Sequence, residues 1–531
     1  MAQGSGGFNI LTNVVSARDD SGQARELSTT GEGHLEVAIH SPRLPFGEVH
    51  VESAHPVFQC DAVYGINSAL VSATTGIVGG GVTSATATAS NNLFKCATGT
   101  TALSFATIQS RKRLRYRPGQ GAIGRFTALF STPAASSILV AGIGTSESGY
   151  FFGYNGTSFG ILHSTGGVRE MQTLTVTAGA TVSSNVTITL DSVAFTVPVT
   201  NSSNTSKTAY EIATYAYSGW KAQQRGATVV FVADSVGNKT GTFSFGAGTT
   251  GATASFAETL AGVASTDTWI TQSNWNGDKL DGTGPSGVTL VPTNGNVYQI
   301  NVQYLGFGSV EFKVEVTGNN NNPDFVTAHT IHFPNTQTST SVSQPAFPFT
   351  MAAYSAGSTT NVYVHSASFA GFNAGEKLLN GPRLTYVAET SGFVGSSAST
   401  YYPLFTIRND YVYGGRANQS VVNLLSMAGS HDDATPVTFF LIRNATLVGT
   451  PSFSQYASTS CTYWDVASTT CTITNNEQLI FALCIGQSSG AVHQFEDEIT
   501  LQPGETVTLA ARAVTGTATY VIASLNTRED Q

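Results

Sequence analysis

The chain has 531 residues, of which 41% are hydrophobic and 11% charged, with a formal net charge of −9. That length suggests two to four domains with enough apolar material for several cores, and so little charge leaves Ser, Thr, Asn, Gln and Gly to make most of the surface. The acidic balance weighs against general nucleic-acid binding, which calls for a basic domain or face, and no run approaches the roughly 18 apolar residues of a membrane-spanning helix.

In chain order, residues 1–33 are rich in Gly, Ser and Thr, show no sustained period and predict an N-terminal arm or anchor. The start lacks the basic and apolar regions of a signal peptide, so the expectation is a soluble chain that is not classically secreted. Short strands are expected at 34–40 and 48–53, then a Gly/Ser/Thr/Ala-rich loop at 72–90. His34, His40, His50 and His55 cluster with Glu52 but meet no zinc spacing, and read as surface or interface imidazoles.

Six of the 24 lysines and arginines fall within residues 111–125, RKRLRYRPGQGAIGR. On a strand, Arg111, Arg113, Arg115 and Arg117 would share one face at about 6.7 Å spacing. Each neighbouring pair would then repel by roughly 0.6 kcal/mol even in water, so carboxylates or a polyanion must lie opposite. One short run without a second basic element or interleaved stacking aromatics favours an ion-pair seam between subunits or domains over polyanion binding. Arg111, Arg113, Arg115, Arg117 and Arg125 are the candidate interface residues. The acidic runs Glu496-Asp497-Glu498 and Asp432-Asp433, ordinarily solvated, are candidate partners.

Two catalytic motifs occur by letter only. Gly119 to Gly124 matches G-x-G-x-x-G but follows arginines rather than a buried apolar strand, and reads as a glycine-rich turn. Ser158 lies in G-x-S-x-G, yet no helix pattern follows it and no acid is placed to orient His163.

From 175 to 250 the texture changes. Strand patterns at Val186, Ile188 and Leu190, and at Phe195, Val197 and Val199, precede helical spacing at Ala209, Ile212, Ala213 and Ala216, with a strand at 229–231. This predicts a small ββαββ unit inserted into a larger sandwich. Asn276, Asp278 and Asp281 offer oxygens without EF-hand spacing and read as a polar loop rather than a Ca²⁺ site. Over 297–316, Tyr298, Ile300, Val302 and Tyr304, then Val310, Phe312, Val314 and Val316, alternate with polar residues, predicting a hairpin with one core face and one wet face. Further strands are expected at 402–407, 437–442, 479–485 and 498–511, the last interrupted by a Pro503-Gly504 turn. Cys60, Cys96, Cys461, Cys471 and Cys484 show no C-x-x-C spacing and read as buried thiols; Cys461 and Cys471 are the pair able to bridge a hairpin, which a reducing cytoplasm disfavours.

RKRLRYRPGQGAIGRF, together with WNGDKLDGTGPSGV, NVYQINVQYLGFGSVEF and LQPGETVTLAARAV, resembles uncharacterised β-rich virion structural proteins of tailed phages and large DNA viruses of microbes, over residues 33–531. The resemblance implies a virion component of fibre, spike, tail or capsid-surface type, assembled in the host cytoplasm. It carries over no catalytic residue, cofactor or metal. The homotrimer and a jelly-roll-like C-terminal domain are likewise expectations from resemblance.

The fold class expected is therefore mainly β: tandem antiparallel, jelly-roll-like β-sandwiches with a small inserted ββαββ unit. The expected units are 1–33, an arm; 34–174 plus 251–384, a discontinuous first sandwich; 175–250, the insert; and 385–531, a second sandwich. The partners expected are further copies of the chain, other virion proteins and a host-surface glycan. Neither a membrane nor nucleic acid is expected. Two other readings stand beside this one: a glycan-active, tailspike-type enzyme, and a carbohydrate-binding module or adhesin. Trp269, Trp275 and Trp464 are candidate glycan-platform residues, although such side chains more often belong to a core.

Overall fold

The computed structural model describes residues 16–18, 24–26, 54–78, 82–145, 147–317, 323–374, 381–390, 394–397, 399–432, 434–518 and 520–530. Most of the expected arm and both strands expected at 34–40 and 48–53 lie outside these residues, as do His34, His40, His50 and Glu52.

The fold is mainly β and antiparallel, built as sandwiches. In the first, a seven-stranded sheet runs in the order Asp267–Thr271, Ser158–Thr165, Ser148–Asn155, Ser137–Thr145, Phe349–Ser355, Ser104–Ser110, Val71–Ile77. It faces a nine-stranded sheet whose centre is Ala122–Phe130. Alternation puts Phe126 and Phe130 inward, where they meet Tyr298, Phe349 and Tyr154. Gly124, the last glycine of the G-x-G-x-x-G, lies on this inner face: a Cβ there would come within 2.3 Å of Ile143 Cγ2 from the opposite sheet. The motif thus opens a central strand, no helix follows, and its glycine serves sheet-to-sheet approach.

The region expected to be a loop at 72–90 instead contributes two strands, Val71–Ile77 and Thr86–Ser90. Their small residues gave no apolar alternation, but both are edge strands, where Ser104–Ser110 and Leu93–Ala97 satisfy the backbone on one side only.

The hairpin over 297–316 pairs Asn296–Val302 with Val310–Thr317, Ile300 opposite Phe312. Its polar face is not fully wet. Gln299 and Asn301 are 8% and 3% exposed, because neighbouring side chains form a continuous ladder over them. Arg125 Nε and Nη2 donate to Gln299 Oε1 at 2.9 and 2.6 Å, Gln299 Nε2 donates to Asn301 Oδ1 at 2.9 Å, and Asn301 Nδ2 donates to Glu311 Oε2 at 3.1 Å.

Between the paired strands Ser158–Thr165 and Asp267–Thr271 the chain leaves and returns through a bridge of Val168 to Val263. The excursion forms a four-stranded sheet (Trp220–Arg225, Thr228–Val236, Arg169–Ala178, Thr253–Leu260), a three-stranded sheet and the helix Thr205–Thr214. Asn204 caps the helix by accepting from Lys207 N at 3.2 Å, and Ala209 and Ile212 pack against Val186, Ile188, Leu190 and Phe231 in a core of their own. Strands Arg169–Ala178 and Thr253–Leu260 belong to the excursion's sheet, beyond the 175–250 expected for the insert.

The C-terminal sandwich packs a four-stranded sheet (Arg383–Thr390, Val521–Asp530, Val421–His431, Gly490–Leu501) on a six-stranded one containing Tyr402–Asn409, Thr506–Ala513 and Val437–Arg443. Tyr386, Phe405, Met427, Phe439 and Leu525 fill it. Gly504 takes φ +91° at the expected turn, where a Cβ would meet the Tyr411 ring at 2.2 Å.

Candidate functional site: three arginine junctions

Between Arg111 and Pro118 the basic stretch is a strand only at Leu114–Arg115, which pairs with Ala346–Phe347. Even so, Arg113, Arg115 and Arg117 turn toward the C-terminal sandwich. Arg113 donates to Gln419 Oε1, and Gln419 Nε2 donates to Gln344 Oε1 at 3.0 Å. Arg115 Nη1 donates to the Asp530 carbonyl, and Arg117 Nη2 meets the Asp530 carboxylate at 3.1 Å. Burial pushes the Arg113 guanidinium down to about 10, helped by the positive charges of Arg115 and Arg169. A cleft of about 510 Å³ opens beside this seam, lined by Arg115, Tyr116, Arg117 and Pro382 among others.

Arg111 and Arg125 do not join it. Arg111 is exposed and donates to the Ser68 carbonyl within its own sandwich. Arg125 stands on the outer face of the nine-stranded sheet, over the Phe325 ring at 4.7 Å. The strand period that would have grouped them breaks at the bend after Ser110 and at the Pro118-Gly119 turn. The carboxylate that meets the seam is that of Asp530. Asp432 is exposed, and Asp433 and the side chains of 496–498 lie outside the described residues.

A second junction, which sequence reasoning missed, joins the excursion to the C-terminal sandwich. Arg225 Nε and Arg408 Nη2 share Asp410 Oδ2 at 3.0 and 3.4 Å, with Asp410 fully buried. Arg408 also donates to the Gln224 carbonyl at 2.6 Å and lies over the Phe453 ring at 4.2 Å. Around it, Tyr411 N donates to Gln223 Oε1 at 2.6 Å and Phe453 N to Gln224 Oε1 at 3.0 Å. The one available signal was Arg408-Asn409-Asp410 ending an otherwise apolar strand pattern.

A third contact ties the excursion to the first sandwich. Arg169 Nη2 meets Glu147 Oε2 at 3.3 Å, and Val236 N donates to Glu147 Oε1 at 2.8 Å. The three pairs, Arg117 with Asp530, Arg225 with Asp410 and Arg169 with Glu147, close a triangle in which each module is ion-paired to both others.

The remaining candidates have local roles. Ser158 is exposed in a tight hairpin turn, while His163 is buried, stacked on Tyr150 and within 2.6 Å of the Ser341 carbonyl. Both Asp278 oxygens accept backbone N–H groups, from Leu280 and Ser286, and Asp281 accepts from Thr283. Among the described residues no three His, Cys, Asp or Glu side chains gather as a metal site. Trp275 is 3% exposed in the first core against Phe152 and Phe159, which removes it from any glycan platform. Trp269 and Trp464 are half-buried in different sandwiches, Trp464 against Tyr456. The cysteines are free; Cys96, Cys461 and Cys471 are buried, whereas Cys60 is half-buried and Cys484 exposed, contrary to the expectation of buried thiols throughout.

No family model and no curated protein matches the chain. Among solved structures, a legume lectin-like domain from Entamoeba histolytica aligns with 56% of this chain and 88% of its own at 8% identity and a TM-score of 0.21. A likeness that distant carries no functional argument.

Proposed function

We propose that the chain is a structural component of a virus particle, acting by oligomeric assembly and packing rather than by turnover of a substrate. The observation that carries this is the triangle of arginine junctions. In a chain with 24 lysines and arginines, three of them each cross a different module boundary to a carboxylate, and Arg113, Arg115 and Arg408 reinforce two of those boundaries. Charge used this way fixes three β modules relative to one another and leaves a broad, weakly charged surface for contact with neighbours. The stretch 111–126, one of the four that resemble virion proteins, includes the arginines of the first junction.

On this reading the chain assembles in the host cytoplasm and takes its place beside other virion proteins, with the homotrimer as the expected state. The test is co-fractionation: the chain should band with intact particles in a density gradient of the source culture and be identified there by mass spectrometry. Recovery only in the particle-free fraction would overturn the proposal. Light scattering of the purified chain then addresses the trimer, which requires three times 55.4 kDa.

A further inference from the structure

We propose that the free edge of the first sandwich at Val71–Ile77 pairs antiparallel with the same strand of a second copy of this chain. Along an antiparallel strand, successive residues turn their backbone groups to opposite sides. Val78 N donates to the Leu103 carbonyl and the Leu70 carbonyl accepts from Arg111 N, so the even-numbered residues face Ser104–Ser110. Ala73, Thr75 and Ile77 therefore turn their N–H and C=O groups away from the sheet, where no described strand lies. Val71, the remaining odd-numbered residue, donates its N–H to the Asn67 carbonyl. The free row is thus centred on Thr75.

Exposed edges are ordinarily blunted by charge or proline. The other edges of this sandwich are: Asp267–Thr271 opens with Asp267, Pro323–Ile331 with Pro323 and Asp324, and Ala54–Asp61 holds Pro56 and Asp61. Residues 62–94, which carry Val71–Ile77 and the edge strand Thr86–Ser90 of the facing sheet, contain no charged residue and no proline. Ala73, Thr74 and Thr75 are exposed, and so are apolar side chains on either side of the strand in the chain: Tyr64 is 99% exposed before it, Val78 and Val82 65% and 93% after it. Charge selects the occupant. About a two-fold axis every residue faces its own counterpart or that of a near neighbour, so any charge would meet its like, and an uncharged edge is complementary to itself. With the axis at Thr75, Ala73 lies opposite Ile77 of the partner subunit, and each such pair exchanges both backbone hydrogen bonds. The contact rests on the reading that the chain assembles with copies of itself, but not on a virion location, which co-fractionation tests separately.

Disulfide trapping of the full chain tests it, in a Cys484→Ser background that removes the exposed thiol. Thr75→Cys puts two thiols at the axis with Cα atoms about 5.5 Å apart, inside the roughly 4.4–6.8 Å that a disulfide spans. Mild oxidation should link these chains into dimers on a non-reducing gel, at least tenfold faster than Thr515→Cys, which lies at an exposed bend of the C-terminal sandwich. Thr75→Pro removes one outward N–H and keeps the ladder to Ser104–Ser110, whereas Thr75→Lys sets like charges against each other. Each should weaken self-association at least tenfold in light scattering over a dilution series. Trapping of Thr75→Cys no faster than of Thr515→Cys would overturn the proposal and mean that another segment of the same chain, or water, covers this edge. Self-association unchanged by both Thr75→Pro and Thr75→Lys would overturn it as well. A dimer trapped through Thr75→Cys in a chain absent from particles would uphold the contact and sink the virion reading alone.

Discussion

The two junctions that hold the C-terminal sandwich use the same ion pair in different surroundings. Where it meets the first sandwich, Arg117 and Asp530 keep 15% and 16% of their side-chain surface exposed, and water reaches both partners. Where it meets the excursion, Asp410 is wholly buried, Arg408 retains 7%, and aromatic rings of Phe453 and Tyr463 cover the guanidiniums. The wetter junction is a seam that salt can loosen. The drier one has taken Asp410 and Arg408 out of water while Arg225 keeps 24% of its side-chain surface exposed, so its buried pair is weak evidence of net stabilisation but very costly to break.

Asp410→Ala should therefore have the largest effect. It strands Arg225 and Arg408 without their shared counter-charge, a loss of about 3–5 kcal/mol. Because several modules unfold, the readout is best taken locally, as protease cleavage at the excursion or faster amide exchange along Trp220–Arg225. An unchanged exchange pattern would mean that packing alone holds this junction. Asp530→Asn should cost less, about 1–2 kcal/mol, because water compensates Arg117 and the backbone carbonyl still serves Arg115. Raising salt from 0.1 to 1 M should weaken the native seam and leave the Asp410 junction nearly unmoved, the screening length falling from about 10 to about 3 Å. Equal salt sensitivity at both would erase the distinction.

Mild acid separates the modules in another way. Burial lowers the pKa of His163 despite its contact with the Ser341 carbonyl and the charge of Asp267, and it lowers those of His329 and His365 as well, aided by His332 and Lys95 respectively. All three lie in the first sandwich. Below the ordinary histidine value of 6.5 the unfolded chain takes up protons that the folded chain refuses, so stability present at pH 7 declines as pH falls from 6.5 toward the lowered folded values. Calorimetry at pH 7 and 5.5 should show the first sandwich melting earlier in acid, and His163→Asn should shrink that difference.

The contrast between the junctions also explains what the sequence could disclose. Arg113, Arg115 and Arg117 stand at alternate positions within five residues, so a seam was legible before its partner was. Asp530 was not: Glu529-Asp530 is a short acidic pair like Asp432-Asp433, and nothing in its local pattern marks it as the partner. The drier junction gathers Gln223, Arg225, Arg408 and Phe453 from points up to 230 residues apart, and no local pattern encodes that meeting. The sandwiches and the hairpin at 297–316 were readable because alternation is local. The strands Val71–Ile77 and Thr86–Ser90 were not, since their Ser, Thr, Ala and Gly residues carry little apolar signal.

Arg113 provides the finest test of the seam, and the smallest effect. Its guanidinium is part-buried near two like charges, Arg115 and Arg169, and it donates to the neutral amide of Gln419. Losing that hydrogen bond should cost about 1 kcal/mol, while removing a part-buried like charge returns a comparable amount. Arg113→Gln should thus lie within about 1 kcal/mol of native stability in denaturant titrations, far from the Asp410→Ala result. If Arg113→Gln instead destabilised as strongly, the seam would depend on a counter-charge that Asp530 alone does not supply.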